Sequence, residues 1–206
     1  MSYTTVKAAA EASIVIEKSE FIAKIAPVST SEEAAAFIDS VRAEHRRARH
    51  NCYAYILREG FETRFSDDGE PQGTAGAPIL DVLQKSELTD VCIVVTRYFG
   101  GILLGRGGLT RAYSSAAAKA VASAALKLMH PARDVSLSFD YGLYDRILRL
   151  LPEFDIRIIE QDFADDVSMK LLIKDELCGG FSLKLRDMTN GKLIPEFSDE
   201  YFADFA

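Results

Sequence analysis

The sequence predicts an α+β protein of two domains, and three observations support this prediction. Residues 1–130 contain short runs rich in Ile, Val and Tyr that alternate with segments of helical spacing. Residues 131–206 contain strand-like and helix-like segments in the order βαββαβ, which is typical of a ferredoxin-like domain. Acidic and basic side chains number 15 each in the first part, but 16 and 9 in the second. We therefore predict domains of residues 1–130 and 131–206.

The chain is predicted to open with a hairpin and a helix. Residues 12–18 and 21–27 are rich in Ile and Val and predict two strands joined by Ser19 and Glu20. The hydroxyls of residues 29–31 precede Glu32 and Glu33, an order that favours a helix N-terminus, and the apolar stripe ends near residue 44.

The rest of the first domain is predicted to contain three strands and two helices. The strands lie at 52–57, 63–66 and 91–96, with a turn at 58–60 between the first two, and a short helix spans 78–83. A long Ala-rich helix is predicted at about 109–128, and residues 129–132 are predicted to end it.

The second domain is predicted from its alternating apolar residues. Strands are expected at 135–141, 155–163, 167–173 and 192–197, and helices at 143–151 and 177–188. Its acidic side chains are scattered over expected solvent faces, so we predict no catalytic group there.

Composition limits the location of the protein. No run approaches the roughly 20 apolar residues of a membrane span, and the first residues do not resemble a signal peptide. The three cysteines, Cys52, Cys92 and Cys178, are far apart and odd in number, which favours free thiols in a reducing compartment. We predict a cytoplasmic protein that does not bind membranes.

The most informative segment is 91–108, where a buried strand is followed by five glycines and two arginines. Its predicted ligand groups are Arg97, Tyr98, Gly100, Gly101, Gly105, Arg106, Gly107 and Gly108. Glycines expose backbone N–H groups, and a helix N-terminus favours negative charge, so phosphate is the predicted ligand. A tight turn that needs glycine for geometry alone is the alternative. Neither the P-loop nor the dinucleotide-binding pattern is present.

A basic corner precedes the second predicted hairpin. Arg46, Arg47, Arg49 and His50 lie between a helix end and a strand, and Arg111 follows the glycine-rich segment. These residues are predicted to contact phosphates, with base stacking on Tyr98 or Tyr53. A solvated basic corner and core packing of Tyr53 are the alternatives.

Three carboxylates lie close together at Asp67, Asp68 and Glu70. They could bind a divalent cation such as Mg²⁺, or act as an acid–base pair. Gly69, Pro71 and the later glycines instead suit an exposed turn that docks against the glycine-rich segment through an Arg–Asp pair, which is the interpretation that we prefer. His50 and Cys52 share a strand face, but no third metal ligand is evident nearby, so no cofactor is predicted.

Three motifs occur together and carry a family resemblance. They are Thr96-Arg97-Tyr98-Phe99-Gly100-Gly101-Ile102-Leu103-Leu104-Gly105-Arg106-Gly107-Gly108-Leu109, the segment from Asp67-Asp68-Gly69-Glu70-Pro71-Gln72-Gly73-Thr74 to Leu80, and Ala48-Arg49-His50-Asn51-Cys52-Tyr53-Ala54. This set resembles the signature of the IMPACT / YigZ-like family, and the resemblance extends over nearly the whole chain.

The resemblance implies a fold for each domain. The first should be an α/β sandwich similar to the second domain of small-subunit ribosomal protein five, and the second should be ferredoxin-like. The same pair resembles domains IV and V of elongation factor G. Eukaryotic relatives regulate translation through a starvation-sensing kinase, using an additional N-terminal partner-binding domain. Because this chain begins at its first predicted core strand, we expect no such domain and carry over no kinase-regulating role.

These observations predict a translation-associated regulator, or an RNA- or ribosome-binding protein, that uses a basic glycine-lined surface of the first domain. Two alternatives stay open. One is an enzyme or binding protein for a small phosphorylated ligand or nucleotide, with a divalent ion in the same cleft. The other is a regulator that binds protein, through the acidic second domain, without nucleic acid. No catalytic residues are predicted, a non-enzyme is favoured, and the sequence makes no prediction of oligomeric state.

Overall fold

The structure is a computed structural model that describes residues 1–205. The chain divides into two compact units. One is Tyr3–Leu128, and the other combines Met1–Ser2 with the chain from Met129 onward. The predicted α+β class is confirmed, with a separate sheet centred in each unit.

The unit Tyr3–Leu128 contains a five-stranded antiparallel sheet in the order β2-β3-β6-β4-β5. The strands of this sheet are β2 (Ala10–Ile16), β3 (Ser19–Pro27), β4 (His50–Ile56), β5 (Thr63–Ser66) and β6 (Val91–Tyr98). The unit also contains the helices α1 (Ser31–Glu44), α2 (Gly76–Lys85) and α3 (Gly105–Ser123), and the strand β1 (Tyr3–Val6), which is not part of this sheet.

Helices cover both faces of this sheet. On one face α1 buries Ala34, Ile38 and Val41 against the side chains of Cys92 and Val94 in β6. On the other face α2 and α3 pack over alternate residues of β3, β4 and β6. The buried side of α3 consists mostly of alanines, namely Ala112, Ala116, Ala117 and Ala120. Short side chains let this helix approach the sheet closely, in agreement with the α/β sandwich that was predicted.

The first hairpin forms, but its turn lies earlier than predicted. Glu17 and Lys18 adopt positive φ angles of 46° and 63° and connect β2 to β3, whereas Ser19 and Glu20 already belong to β3. Positive φ at two successive residues is typical of the two-residue type I′ turn that matches strand twist. Glu and Lys are uncommon in such turns, so composition pointed to the wrong pair.

The long helix is also displaced from its predicted range. Helix α3 begins at Gly105 and ends at Ser123, and residues 126–128, predicted as helical, belong to β7 (Leu126–Phe139). The expected helix break at 129–132 therefore lies inside a strand. Leu126 and Leu128 are exposed whereas Lys127 and Met129 are partly buried, which is the alternation of a strand. Strand formation therefore overrides the helix propensity of the preceding alanines.

The second unit has the ferredoxin-like strand order. Besides β7 it contains α4 (Tyr144–Leu150), β8 (Arg157–Phe163), β9 (Val167–Lys174), α5 (Cys178–Thr189), β10 (Glu196–Phe197) and β11 (Tyr201–Asp204). Strand β9 lies between β7 and β8, while β10 and β11 pair with the other side of β7, all antiparallel. This order confirms the predicted βαββαβ arrangement. Strand β11 was not predicted, and the expected strand at 192–197 shortens to its last two residues.

The core of this unit follows the alternation that predicted it. Val135, Leu137 and Phe139 are buried with Ile147 of α4 and Phe181 of α5, whereas the intervening residues of β7 are more accessible. In residues 1–205 we find no helix long and apolar enough to cross a membrane.

Candidate functional site

Arg97 lies near the end of β6, on the sheet face that α2 and α3 cover. In the sheet register it stands between Phe21 of β3 and His50 of β4. Its Nη1 donates to Oε1 of Glu70 at 2.8 Å, and the Tyr113 hydroxyl donates to the same oxygen at 2.8 Å. The Arg97 and Glu70 side chains are 7% and 3% exposed. A sequence-predicted phosphate contact is therefore already bound to a buried carboxylate.

The remaining surroundings of Arg97 are aromatic. Its guanidinium lies over the rings of Phe21 and Phe99, 5.5 Å from each centroid, and Nη2 contacts the Ser19 hydroxyl at 3.4 Å. The Nε atom is buried and has no hydrogen-bond partner among the described residues. This nitrogen is therefore the donor of the Arg97 guanidinium that residues 1–205 leave unbonded, whereas both terminal nitrogens have partners. A buried N–H without a partner is costly.

Asp67 organises the loop before α2. Its carboxylate accepts hydrogen bonds from the N–H groups of Gly73, Ala75 and Gly76 at 2.7, 3.0 and 2.9 Å, so it caps the N-terminus of α2 from a distant position. Burial acts to raise the pKa of Asp67, but these three N–H groups and the nearby Arg106 charge outweigh it and hold the pKa below its usual value.

Asp68 fastens the same loop to β4. One carboxylate oxygen accepts from Arg42 at 3.2 Å and the other from the backbone N–H of Asn51 at 2.6 Å. The Asp68 carbonyl oxygen lies 2.8 Å from Nδ1 of His50. Asp67, Asp68 and Glu70 thus all bind protein groups, and the carboxylate that pairs with Arg97 is that of Glu70 rather than that of an aspartate. Among residues 1–205 no cluster of three or more His, Cys, Asp or Glu side chains could hold a metal ion.

The predicted glycine loop divides into two parts. Gly100 and Gly101 lie between β6 and α3, whereas Gly105, Gly107 and Gly108 form the first turn of α3, together with Arg106. Gly100 passes so close to Lys18 that a Cβ atom there would overlap the Lys18 carbonyl carbon. Gly101 has a φ angle of +86°. At these two positions backbone geometry alone requires glycine.

The loop that begins at Asp67 and the glycine-rich segment 91–108 meet in space. Besides the ion pair between Arg97 and Glu70, Nη2 of Arg106 donates to the Gln72 carbonyl oxygen at 2.7 Å. Exposed Arg106 therefore bridges the first turn of α3 to the loop, and Arg111, one turn further along the helix, is exposed as well.

A cleft of about 600 Å³ opens above Arg97, and we call it the arginine cleft. Its lining residues are Arg47, Arg49, His50, Glu70, Arg97, Tyr98, Phe99 and Leu103. Six of these were predicted site residues, but Phe99 and Leu103 were not. They are 54% and 87% exposed, and unusual exposure of large apolar side chains beside arginines is visible only in the folded chain.

The two tyrosines proposed for stacking lie on the same face of the sheet, the one that α1 covers, because Tyr53 pairs with Val94 and Tyr98 follows Val94 by four residues in β6. Tyr98 lines the arginine cleft, and its hydroxyl lies 3.1 Å from Nδ1 of His45. Tyr53 is stacked on Tyr55 with a centroid distance of 6.4 Å, and it packs with the buried residues that lie beneath α1. The alternative of core packing therefore describes Tyr53.

The predicted basic corner is largely solvent-exposed. Arg46, Arg47 and Arg49 are exposed, and Nε of Arg46 donates to the Ala43 carbonyl oxygen at 3.1 Å. In the described part of the chain no carboxylate pairs with any of the three. Three accessible positive charges thus lie within four residues, and two of them, Arg47 and Arg49, line the arginine cleft.

Comparisons with known proteins match both units. The Impact N-terminal domain matches residues 17–121, and a domain of unknown function, DUF1949, matches residues 137–192. The IMPACT family member YvyE of Bacillus subtilis is 41% identical over 192 residues, which are 93% of this chain and 88% of YvyE. The IMPACT family member YigZ of Escherichia coli is 39% identical over 181 residues, 86% of this chain and 89% of YigZ.

A solved structure is similar over the same extent. It is described as "Crystal structure of an hypothetical protein", is 36% identical, and has a TM-score of 0.64. The match covers 94% of this chain and 96% of that one. The family resemblance inferred from the three motifs is thereby confirmed.

Proposed function

Because this chain belongs to the IMPACT family, we propose that it is a translation-associated regulator that binds RNA or a ribosomal site through the surface around the arginine cleft. One observation carries the proposal: Arg47 and Arg49 are exposed beside the cleft and have no carboxylate partner among the described residues. Cations that their own protein leaves unpaired are available to neutralise phosphates.

The distribution of charge supports the same surface. The net charge of the protein is −7, yet residues 1–130 are neutral and the excess of acid lies in residues 131–206. An acidic protein attracts nucleic acid only where its basic side chains are concentrated. Arg46, Arg47 and Arg49 provide such a concentration, and Arg106 and Arg111 add two exposed charges on the first turns of α3.

Salt-dependent binding tests this proposal. The affinity of a ten-nucleotide RNA would be measured by fluorescence anisotropy between 50 and 200 mM salt, for the wild type and for Arg47→Ala/Arg49→Ala. Each lost phosphate contact should reduce the slope of log K against log salt by about 0.7 for a single strand. Arg149→Ala, an exposed arginine in α4 of the acidic unit, is the matched control. Absence of binding at 50 mM salt, or equal slopes for both variants, would reject the proposal.

A second candidate function is binding of a small phosphorylated ligand, and the volume of the arginine cleft favours it. A cleft of about 600 Å³ lies within the range of typical small-molecule sites, roughly 300–1,000 Å³. Thermal-shift screening with nucleotides, with and without Mg²⁺, would detect such a ligand, because only molecules that bind the native state raise its stability. Strong stabilisation by one nucleotide, combined with weak RNA binding, would favour this candidate over the first.

A further inference from the structure

We propose that the arginine cleft holds one unpaired nucleotide of an RNA strand, with the base against the Phe99 ring and a phosphate at Arg47 and Arg49. The inference rests on the proposed function, and it names the form of RNA that the site recognises. It predicts selectivity for single strands over duplexes, which a basic surface alone would not provide.

The Phe99 ring is a preformed platform for a base. It is 54% exposed, and the Arg97 guanidinium lies over it at 5.5 Å from its centroid. Arg97 is itself held by the ion pair with Glu70, so the support beneath the ring is fixed by a buried network. An aromatic ring that is already positioned loses little conformational entropy when a base stacks on it.

The charges of the cleft match a phosphate. Its lining contains three arginines and a histidine but a single carboxylate, Glu70, which is bound to Arg97. Arg47 and Arg49 remain exposed for the backbone of the strand.

The geometry also favours an unpaired base. In a duplex each base is stacked on its neighbours, so its face is not available to a protein ring. A single strand can turn a base into a pocket where an aromatic side chain replaces the lost stacking. The volume of about 600 Å³ gives room for one nucleotide, with Leu103 adding an apolar contact at the edge.

Stacking can be measured with an RNA that carries 2-aminopurine, whose fluorescence falls when it stacks on an aromatic ring. The full-length protein would be titrated with this single strand and with the blunt duplex of the same sequence. We expect quenching and tighter binding for the single strand. Phe99→Ala should abolish the quenching and weaken single-strand binding about tenfold, in the range found for loss of one stacked base.

The matched control is Phe65→Ala, since Phe65 is an aromatic residue of β5 that is 49% exposed and outside the cleft. Because Phe99 is largely exposed, its replacement should leave the thermal unfolding midpoint close to that of the control. Equal affinities for Phe99→Ala and Phe65→Ala, or equal affinities for single strand and duplex, would overturn the inference. If RNA binding that depends on Arg47 and Arg49 persisted in that case, the proposed function would stand. If the wild type bound no RNA at all, the proposed function and this inference would both be rejected.

Discussion

Arg97 and Glu70 connect the end of β6 to the loop before α2 through an ion pair of 2.8 Å in which both side chains are more than nine-tenths buried. Tyr113 of α3 donates to the same carboxylate oxygen, so one atom joins a strand, a loop and a helix. The network also lies beneath Phe99, which makes the shape of the arginine cleft depend on a buried ion pair.

Removal of one member of this pair should be strongly destabilising. Glu70→Gln leaves the Arg97 charge buried without a counter-ion, which costs about 3–5 kcal/mol in comparable sites. The free energy of unfolding, measured with urea, should fall by about that amount. The double variant Glu70→Gln/Arg97→Met removes both charges and should recover at least half of the loss, because no unpaired charge then stays buried.

An exposed ion pair gives the comparison for that experiment. In α2, Nζ of Lys85 lies 2.6 Å from Oδ2 of Asp81, but both side chains are more than half exposed. Asp81→Asn should therefore cost less than about 0.5 kcal/mol. If Glu70→Gln cost no more than Asp81→Asn, the view of Arg97 as a buried, pair-dependent charge would be wrong.

The glycines of segment 100–108 should respond in opposite directions to alanine substitution. At Gly100 a Cβ atom would overlap the Lys18 backbone, so Gly100→Ala should lower the free energy of unfolding by about 2 kcal/mol or more. Gly107 lies in α3 without positive φ, and a Cβ there would meet only the Arg111 side chain at 3.6 Å. Gly107→Ala should stabilise the protein by about 0.5–1 kcal/mol.

Urea unfolding of the two variants checks this prediction, and their order is the decisive result. Equal effects of both substitutions would mean that the close approach at Gly100 does not govern the connection between β6 and α3. The interpretation that these glycines serve geometry alone would then lose its main support.

Local signals predicted parts of this fold well. Helix α1 was predictable because Thr30 accepts from the N–H of Glu33 and the apolar stripe is regular. The second hairpin was predictable because strand runs flank a glycine turn. In both cases residues that are neighbours in the chain determine the element.

Contacts between distant segments could not be predicted in this way. The register that places Arg97 between Phe21 and His50 depends on pairing of three strands that are far apart in the chain. Glu70 was predicted as a docking or cation-binding residue, but its partner could not be predicted. That partner, Arg97, is reached only when β6 and the loop before α2 come together in the folded chain. The exposure of Phe99 and Leu103 likewise follows from the folded surface, since apolar residues are expected to be buried.

Asp67 should make stability depend on acid pH. Its folded pKa is held below the unfolded value by three backbone N–H groups, so the unfolded chain binds more protons at low pH. The stabilising contribution is therefore complete above the unfolded pKa near 4, and it is lost as the pH falls through the lower folded pKa. In Asp67→Asn, the free energy of unfolding should therefore fall less between pH 5 and pH 3 than it does in the wild type.

The same substitution should have a smaller effect at neutral pH than an alanine would, since asparagine can still accept the N–H groups that cap α2. We expect Asp67→Asn to cost about 1 kcal/mol at pH 7, the size of one helix cap. Urea unfolding from pH 3 to 7 would be compared with Asp165→Asn, an exposed aspartate between β8 and β9. A parallel pH dependence for the wild type and Asp67→Asn would contradict the proposed capping role.

The three thiols should differ in reactivity. Cys52 and Cys92 are fully buried, and burial raises the pKa of both thiols far above the usual range. Cys178, at the start of α5, is partly accessible, although burial raises the pKa of its thiol as well. Since the thiolate is the reactive form, a thiol reagent should label Cys178 slowly in the native protein and the other two only on unfolding.

Time-resolved labelling followed by peptide mass spectrometry would test this order. Cys178→Ser should remove the slow native phase, and 6 M guanidinium chloride should then expose two thiols together. Rapid native labelling of Cys52 would have a specific meaning, because its Sγ lies 3.0 Å from the Asp67 carbonyl oxygen. It would show that the loop that docks beside the arginine cleft opens in solution, and that the site is assembled only part of the time.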